Sequence, residues 1–256
     1  MKKCIWCHRE ESETTFKKLA HTIPQSLGGK MICENVCDDC NHYFGNISDK
    51  LPSIEETFKE TFNITRLRLL GKERVGKNKA LAKFKSTYFN VDIQKGKFAL
   101  KLKFQLKPNF QKVLCRQFKR GIYKVFLEEL ERQENKGHQS KYQFIRNFAR
   151  YNQVDLPVFY FQKGVGLIMT NESWIKNPEL HIHKDYRMKY LFCDENFIEF
   201  ELLGHVFGIV KNENWRFFYE DYMTKSQNMK QNFIFKHMIE IDYLIDIDLA
   251  LNVFND

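Results

Sequence analysis

Apolar and polar residues alternate without a break from Lys97 to Lys107. Phe98, Leu100, Leu102, Phe104 and Leu106 fall on one side, and Lys97, Lys101, Lys103 and Lys107 fall on the other. A period of two belongs to a strand with one buried face, so this stretch predicts a strand with a lysine face. Pro108 ends it, and Asn109 is placed to cap a helix. From there Phe110, Val113, Leu114, Phe118, Ile122, Val125, Phe126 and Leu130 recur at helical spacing and predict a long amphipathic helix. Lys112, Arg116, Arg120 and Lys124 repeat every four residues along another side of it. Glu128-Glu129-Leu130-Glu131 and the polar run from Gln133 to Lys141 close the helix and make a loop.

Upstream, Leu51-Pro52 reads as a break and Ser53-Ile54-Glu55-Glu56 as a helix start with a capping serine and early acids. That helix is expected to end at Gly71. Downstream, a second basic and aromatic helix is expected from Tyr142 to Tyr151, and from Leu156 the texture becomes β. Short aromatic strands are predicted at 158–161, 165–169, 180–183 and 190–192, with a hairpin of 198–203 and 206–210 about Gly204. The apolar tail from Phe233 to Phe254 is expected to pack on that sheet as helix or strand. Asp242, Asp246 and Asp248 read as an acidic face rather than a metal site.

Charge sharpens this picture. The 256 residues carry a formal net charge of +9, yet 21 Lys and Arg stand against 6 Asp and Glu between Lys72 and Arg150, leaving the remainder of the chain acidic. A regional excess of this kind fits a polyanionic partner. Lys101, Lys103, Lys112, Arg116, Lys119, Arg120 and Lys124 are the residues expected to meet a phosphate backbone, through salt-dependent contacts that do not read sequence. No stretch of signal-peptide length and no run of 18 apolar residues occurs. A cytoplasmic protein with no membrane partner is expected.

The chemistry is concentrated near the start. Cys4-Ile5-Trp6-Cys7 and Cys37-Asp38-Asp39-Cys40 are two Cys-x-x-Cys pairs, and the two-residue spacer lets both sulfurs of a pair reach one ion. Four thiolates satisfy a tetrahedral structural zinc, which would supply much of the folding free energy of so short a segment. The other cysteines, Cys33, Cys115 and Cys193, are scattered singly, as in a reducing compartment.

Between and beyond the pairs stand His21-Thr22-Ile23-Pro24, Ser26-Leu27-Gly28-Gly29, Asn35-Val36, Cys40-Asn41 and Phe44-Gly45. In this order the stretch resembles the HNH nucleases of the ββα-metal superfamily, over about a fifth of the chain. The resemblance implies that His21 is a general base, that Asn41 is a ligand of a catalytic Mg²⁺ or Mn²⁺, and that Asn35 ties down the hairpin loop. A neutral imidazole suits proton abstraction from water near pH 7. Hard oxygen ligands suit Mg²⁺. The sequence departs from the family pattern at Ala20, where Asp or Glu often supplies a second metal ligand. His42, Asp38, Asp39 and Asp49 are the alternatives nearby.

The expected architecture is α+β: a zinc-stapled ββα-metal module at residues 1–50, a basic helix and strand region at 51–155, and a C-terminal antiparallel β-rich region at 156–256. The expected function is metal-dependent hydrolysis of DNA, preferably double-stranded, with restriction or antiphage defence as a setting. Two other classes fit the same residues: a non-catalytic zinc module that binds DNA or RNA, and a nuclease gated by a ligand or partner on the C-terminal domain. A homodimer is also open.

Overall fold

The computed structural model describes residues 2–46, 52–77, 83–92, 95, 97–107, 109–161, 176–180, 182, 193–229 and 238–249. Among these, the architecture is α+β, with six helices and two antiparallel sheets. The predicted strands at 165–169 and 190–192 and much of the tail lie outside the described residues.

The helix expected after Asn109 is the axis of the molecule. The helices are α1 (Asp38–Gly45), α2 (Ile54–Lys77), α3 (Leu102–Gln105), α4 (Phe110–Glu134), α5 (Gln143–Ala149) and α6 (Trp215–Met229). From Leu114 to Glu131 nearly every side chain of α4 is buried, because helices, sheet and the cysteine-rich segment surround it. Helices α2 and α4 cross at Gly121, where a Cβ would stand 2.1 Å from the Phe58 ring. The absence of a side chain lets Phe58 stack on Phe118 with centroids 5.2 Å apart. Phe62 and Phe118 then reach Phe207 of the main sheet. Helix α2 begins where expected, with the Ser53 hydroxyl accepting the Glu56 N–H at 3.0 Å. It continues through Gly71 to Lys77, since a glycine within a helix costs only about 1 kcal/mol.

The first sheet pairs β1 (Phe89–Asp92) with β2 (Lys97–Leu100). The alternating strand expected to reach Lys107 therefore stops at Leu100. Phe89 is the partner of Leu100, and among the described residues no strand lies opposite those that follow. Lys101 makes the last rung, its N–H donating to Tyr88 O at 2.8 Å, and the chain then turns into α3. Leu102 and Leu106, expected inside, are exposed.

The second sheet has the order β4-β5-β3-β6, all antiparallel, from β3 (Val158–Phe161), β4 (Phe197–Leu202), β5 (His205–Val210) and β6 (Met238–Glu240). The hairpin about Gly204 forms as predicted, turning through Leu203 and Gly204, both at positive φ. Helix α6, which the sequence pattern did not reveal, lies on this sheet: Tyr219 stacks on Phe159 at 4.5 Å and Tyr222 on Phe197 at 3.8 Å. His205 sits at the sheet's inner face, bonded to Thr65 of α2 and Tyr160 of β3, and burial pushes its pKa down to about 3.

Candidate functional site

The four cysteines of the two pairs converge. The sulfurs of Cys4, Cys7, Cys37 and Cys40 all lie within 4.8 Å of one another. The surroundings suit thiolates. Arg9 Nε donates to Cys7 Sγ and Arg150 Nε to Cys40 Sγ, both at 3.4 Å, and the Cys37 N–H donates to Cys4 Sγ. The neighbouring Cys40 thiol, ahead of any other cause, holds Cys4 below the ordinary thiol range. Donors around the sulfurs are what a tetrathiolate metal site uses to orient its ligands, so the residues present fit zinc.

The segment between the cysteines folds back as a hairpin. Cys33 N–H donates to Ala20 O at 2.9 Å, Thr22 N–H to Met31 O at 3.0 Å, and His21 bridges Ile32. The reversal runs through a 3₁₀ turn at Gln25–Leu27 into Gly28. Gly28 has φ +90°, and a Cβ there would stand 2.0 Å from Lys176 O; one on Gly29 would meet Ile23 O at 2.0 Å. The adjacent glycines are thus a packing requirement of the turn.

His21 lies at the open end of this hairpin, half-buried. Its Nδ1 is buried and has no hydrogen-bond partner among the described residues. Asn41, on α1, donates from Nδ2 to Leu19 O at 3.3 Å, across the strand that leads into His21. Its Oδ1 has no partner among the described residues and suits a hard cation. Asn35 is placed differently from the expected loop tie. Its Nδ2 donates to Glu131 of α4 at 2.6 Å, while its carbonyl accepts from Ile5 N, joining the second cysteine pair to the first and both to α4. Ala20 is buried. Of the alternative ligands, Asp38 accepts from Thr15 and from the Lys18 N–H, Asp39 pairs with Arg9, and His42 contacts Asn46. Asp49 lies outside the described residues.

The cationic side of α4 departs most from expectation. Lys124 is buried, and its ammonium donates to His21 O at 2.9 Å, Thr22 O at 3.2 Å and Glu128 at 2.8 Å. Arg120 is buried on Ala149 O, Gln117 and Tyr43; Lys119 is buried beside Asp155 at 3.3 Å. Arg116 pairs with Asp155 at 2.9 Å. Lys101 reaches Ser86 O at 2.6 Å, and only Lys103 and Lys112 of the seven are well exposed. The expectation of an exposed basic stripe is therefore corrected at Lys119, Arg120 and Lys124, which are buried. The side bearing these residues packs against the hairpin, α1 and α5, and backbone carbonyls rather than solvent receive the charges.

Three acids that read in the sequence only as the close of the helix complete this contact. Glu128 accepts from Lys124 and, at 3.1 Å, from Trp6 Nε1; burial pushes its carboxyl up to about 7 against the pull of Lys124. Glu129 accepts from the Thr22 hydroxyl. Glu131 accepts from Asn35 and from the Gly137 N–H. The only forewarning was the four-residue spacing of Lys124 and Glu128.

Residues 4–53 match the model of a family described as HNH endonuclease. This segment is of the HNH type. The match takes in both cysteine pairs, His21, Asn35 and Asn41, and ends at Ser53, just before α2. No curated protein and no solved structure matches the chain. The HNH segment supports a nuclease-type or nucleic-acid-related role in general terms. No helix among the described residues is long and apolar enough to cross a membrane.

Proposed function

We propose that the protein is a metal-dependent endonuclease acting on DNA, with His21 as the general base. The observation that carries this reading is the His21 ring. A structural histidine in a tight hairpin is expected to use its buried nitrogen in a hydrogen bond, but here, among the described residues, Nδ1 has no partner, as is also true of His138. In the same segment the backbone around it is held from both sides, by Asn41 at Leu19 O and by Lys124 at His21 O and Thr22 O. A fixed main chain with an uncommitted imidazole is an arrangement suited to taking a proton from water.

Asn41 would hold Mg²⁺ or Mn²⁺ through its amide oxygen, and the ion would stabilise charge on the phosphoryl oxygens and the leaving oxygen. His21 orients the attacking water and removes its proton. Cys4, Cys7, Cys37 and Cys40 would hold zinc, which would keep α1, and hence Asn41, against the hairpin. Double-stranded DNA is the preferred substrate, in a setting such as restriction or antiphage defence.

The test is cleavage of supercoiled plasmid in Mg²⁺ or Mn²⁺ by zinc-loaded wild type, by zinc-loaded His21→Ala, and by wild type in EDTA. Cleavage by wild type that disappears in the other two supports the proposal. Equal cleavage by His21→Ala overturns the role of His21.

A second reading, a non-catalytic nucleic-acid-binding module, is favoured by one observation. Ala20 occupies the position of a frequent acidic ligand, and Asp38 and Asp39 are engaged elsewhere. Binding of DNA without cleavage under all metal conditions would select it.

A further inference from the structure

On the flank of α1 marked by Tyr43 and His42, α1, α4 and the Arg150 side chain enclose a cleft of about 360 Å³. Arg120, Arg150, Tyr43, His42, Asn46 and Gln117 line it. The carboxylate on its wall, Asp39, is ion-paired to Arg9 at 2.6 Å. Arg150 sits over the Tyr43 ring, its Cζ 3.9 Å from the centroid, and turns its Nε to Cys40 Sγ. Its two terminal nitrogens have no hydrogen-bond partner among the described residues.

The charges decide what the cleft would accept. Four thiolates on a dication would leave a double negative charge, beside which Arg9 and Arg150 each place a single N–H, on Cys7 Sγ and Cys40 Sγ. Arg120 is left with neutral partners alone: the Ala149 carbonyl, the Gln117 amide oxygen and the Tyr43 hydroxyl. A buried guanidinium with neutral partners leaves a net positive charge beside the cleft, which an anion would offset. Arg150 adds a planar fork of donors at the same cleft, the geometry that favours phosphate and carboxylate oxygens. The polar amide of Asn46 and the His42 ring at the mouth suit oxygens rather than an apolar guest.

We propose that this cleft binds a phosphate group of a nucleic-acid backbone, with the Arg150 fork as principal donor and Arg120 as the supporting charge. The phosphate class rests on the cleft; its source in a nucleic acid rests on the nuclease reading. The cleft would anchor the backbone away from the scissile bond, a role that the exposed face expected on α4 does not fill.

The experiment is fluorescence anisotropy of a labelled DNA duplex over a series of KCl concentrations, without added Mg²⁺. It uses zinc-loaded full-length wild type, Arg150→Gln and Asn46→Asp. Asn46 is exposed, so the second variant places a carboxylate at the cleft without touching the zinc ligands or the core. Melting temperature with inorganic phosphate and with a mononucleotide is measured alongside. Both variants are expected to bind duplex about tenfold more weakly at moderate salt, with the log–log salt slope shallower by about one. Both are also expected to lose the phosphate-induced rise in melting temperature. Unchanged affinity and slope in both variants overturn the proposal, even if wild type cleaves DNA. If wild type binds no duplex but its phosphate response disappears in the variants, the nuclease reading fails and the phosphate site stands. A mononucleotide response that the variants abolish, with duplex binding intact, assigns the site to free phosphate esters and overturns the backbone source.

Discussion

The HNH segment and helix α4 use lysine and arginine in opposite ways. On the hairpin, Lys17, Lys18 and Lys30 are exposed. On α4, Lys119, Arg120 and Lys124 are buried among carbonyls and carboxylates, although the sequence gives them the regular spacing of a solvent-facing stripe. A basic residue every four positions fixes a side of a helix, but it does not say whether water or another backbone lies opposite. Here the opposite surface is the hairpin that carries His21. The basic region is therefore, in good part, the mould in which the HNH segment sits.

The comparison breaks most completely at the metal. Replacing any of Cys4, Cys7, Cys37 or Cys40 by serine is expected to unfold the HNH segment while leaving much of the helical signal of α2 and α4. Zinc content by mass spectrometry and amide exchange of residues 2–46 would show it, since metal binding supplies folding free energy to so small a unit. Native exchange protection in a zinc-free variant would contradict this.

Next in size is the buried pair. Lys124→Met leaves Glu128 buried without its cation and is expected to cost about 3–5 kcal/mol in urea melts, with a large part recovered in Lys124→Met/Glu128→Gln. A surface lysine would cost almost nothing, so this measurement separates the two uses of the residue directly. Gly28→Ala is expected to cost about 1–3 kcal/mol, since it combines a left-handed backbone with a Cβ driven into Lys176 O.

The sheet supplies a pH-dependent contrast. Burial holds His205 at about 3, below its ordinary 6.5, so the folded state binds its proton less readily than the unfolded chain. Its contribution is complete above pH 6.5 and is lost progressively as pH falls from 6.5 towards 3. Acid also releases zinc, but it does so in wild type and in His205→Gln alike. The difference in stability between the two proteins is therefore expected to shift in favour of the variant on acidification, and a difference that stays constant with pH would contradict the burial of a neutral ring. The smallest effect is Ser53→Ala, expected to cost about 1 kcal/mol through loss of the cap on α2.

The HNH segment was legible because its chemistry is local. Two cysteine pairs, a glycine turn and Cys40-Asn41 carry their geometry in short spacings, and the four sulfurs converge as those spacings require. Helix α4 and the hairpin about Gly204 were legible from periodicity. What stayed hidden depends on long-range partners. The alternation of Lys97 to Lys107 is a valid strand pattern, but β1 offers a partner only as far as Leu100. Asn35 reads as part of a hairpin, yet its side chain is engaged by Glu131, far along the chain. The aromatic helix α6 hid because Trp215, Phe217, Phe218, Tyr219 and Tyr222 mix exposed and buried positions without a clean stripe. In each case the local signal was sound, and the packing partner decided the outcome.

If polar groups of α4 set the main chain of His21, plasmid cleavage by Lys124→Met/Glu128→Gln must feel their loss. The variant must first match wild type in zinc content and duplex affinity. The account predicts that its single-turnover cleavage rate falls at least tenfold with little change in substrate affinity, because the base is held less firmly while the binding surface is intact. Cleavage at the wild-type rate by a folded, zinc-loaded double variant would contradict it.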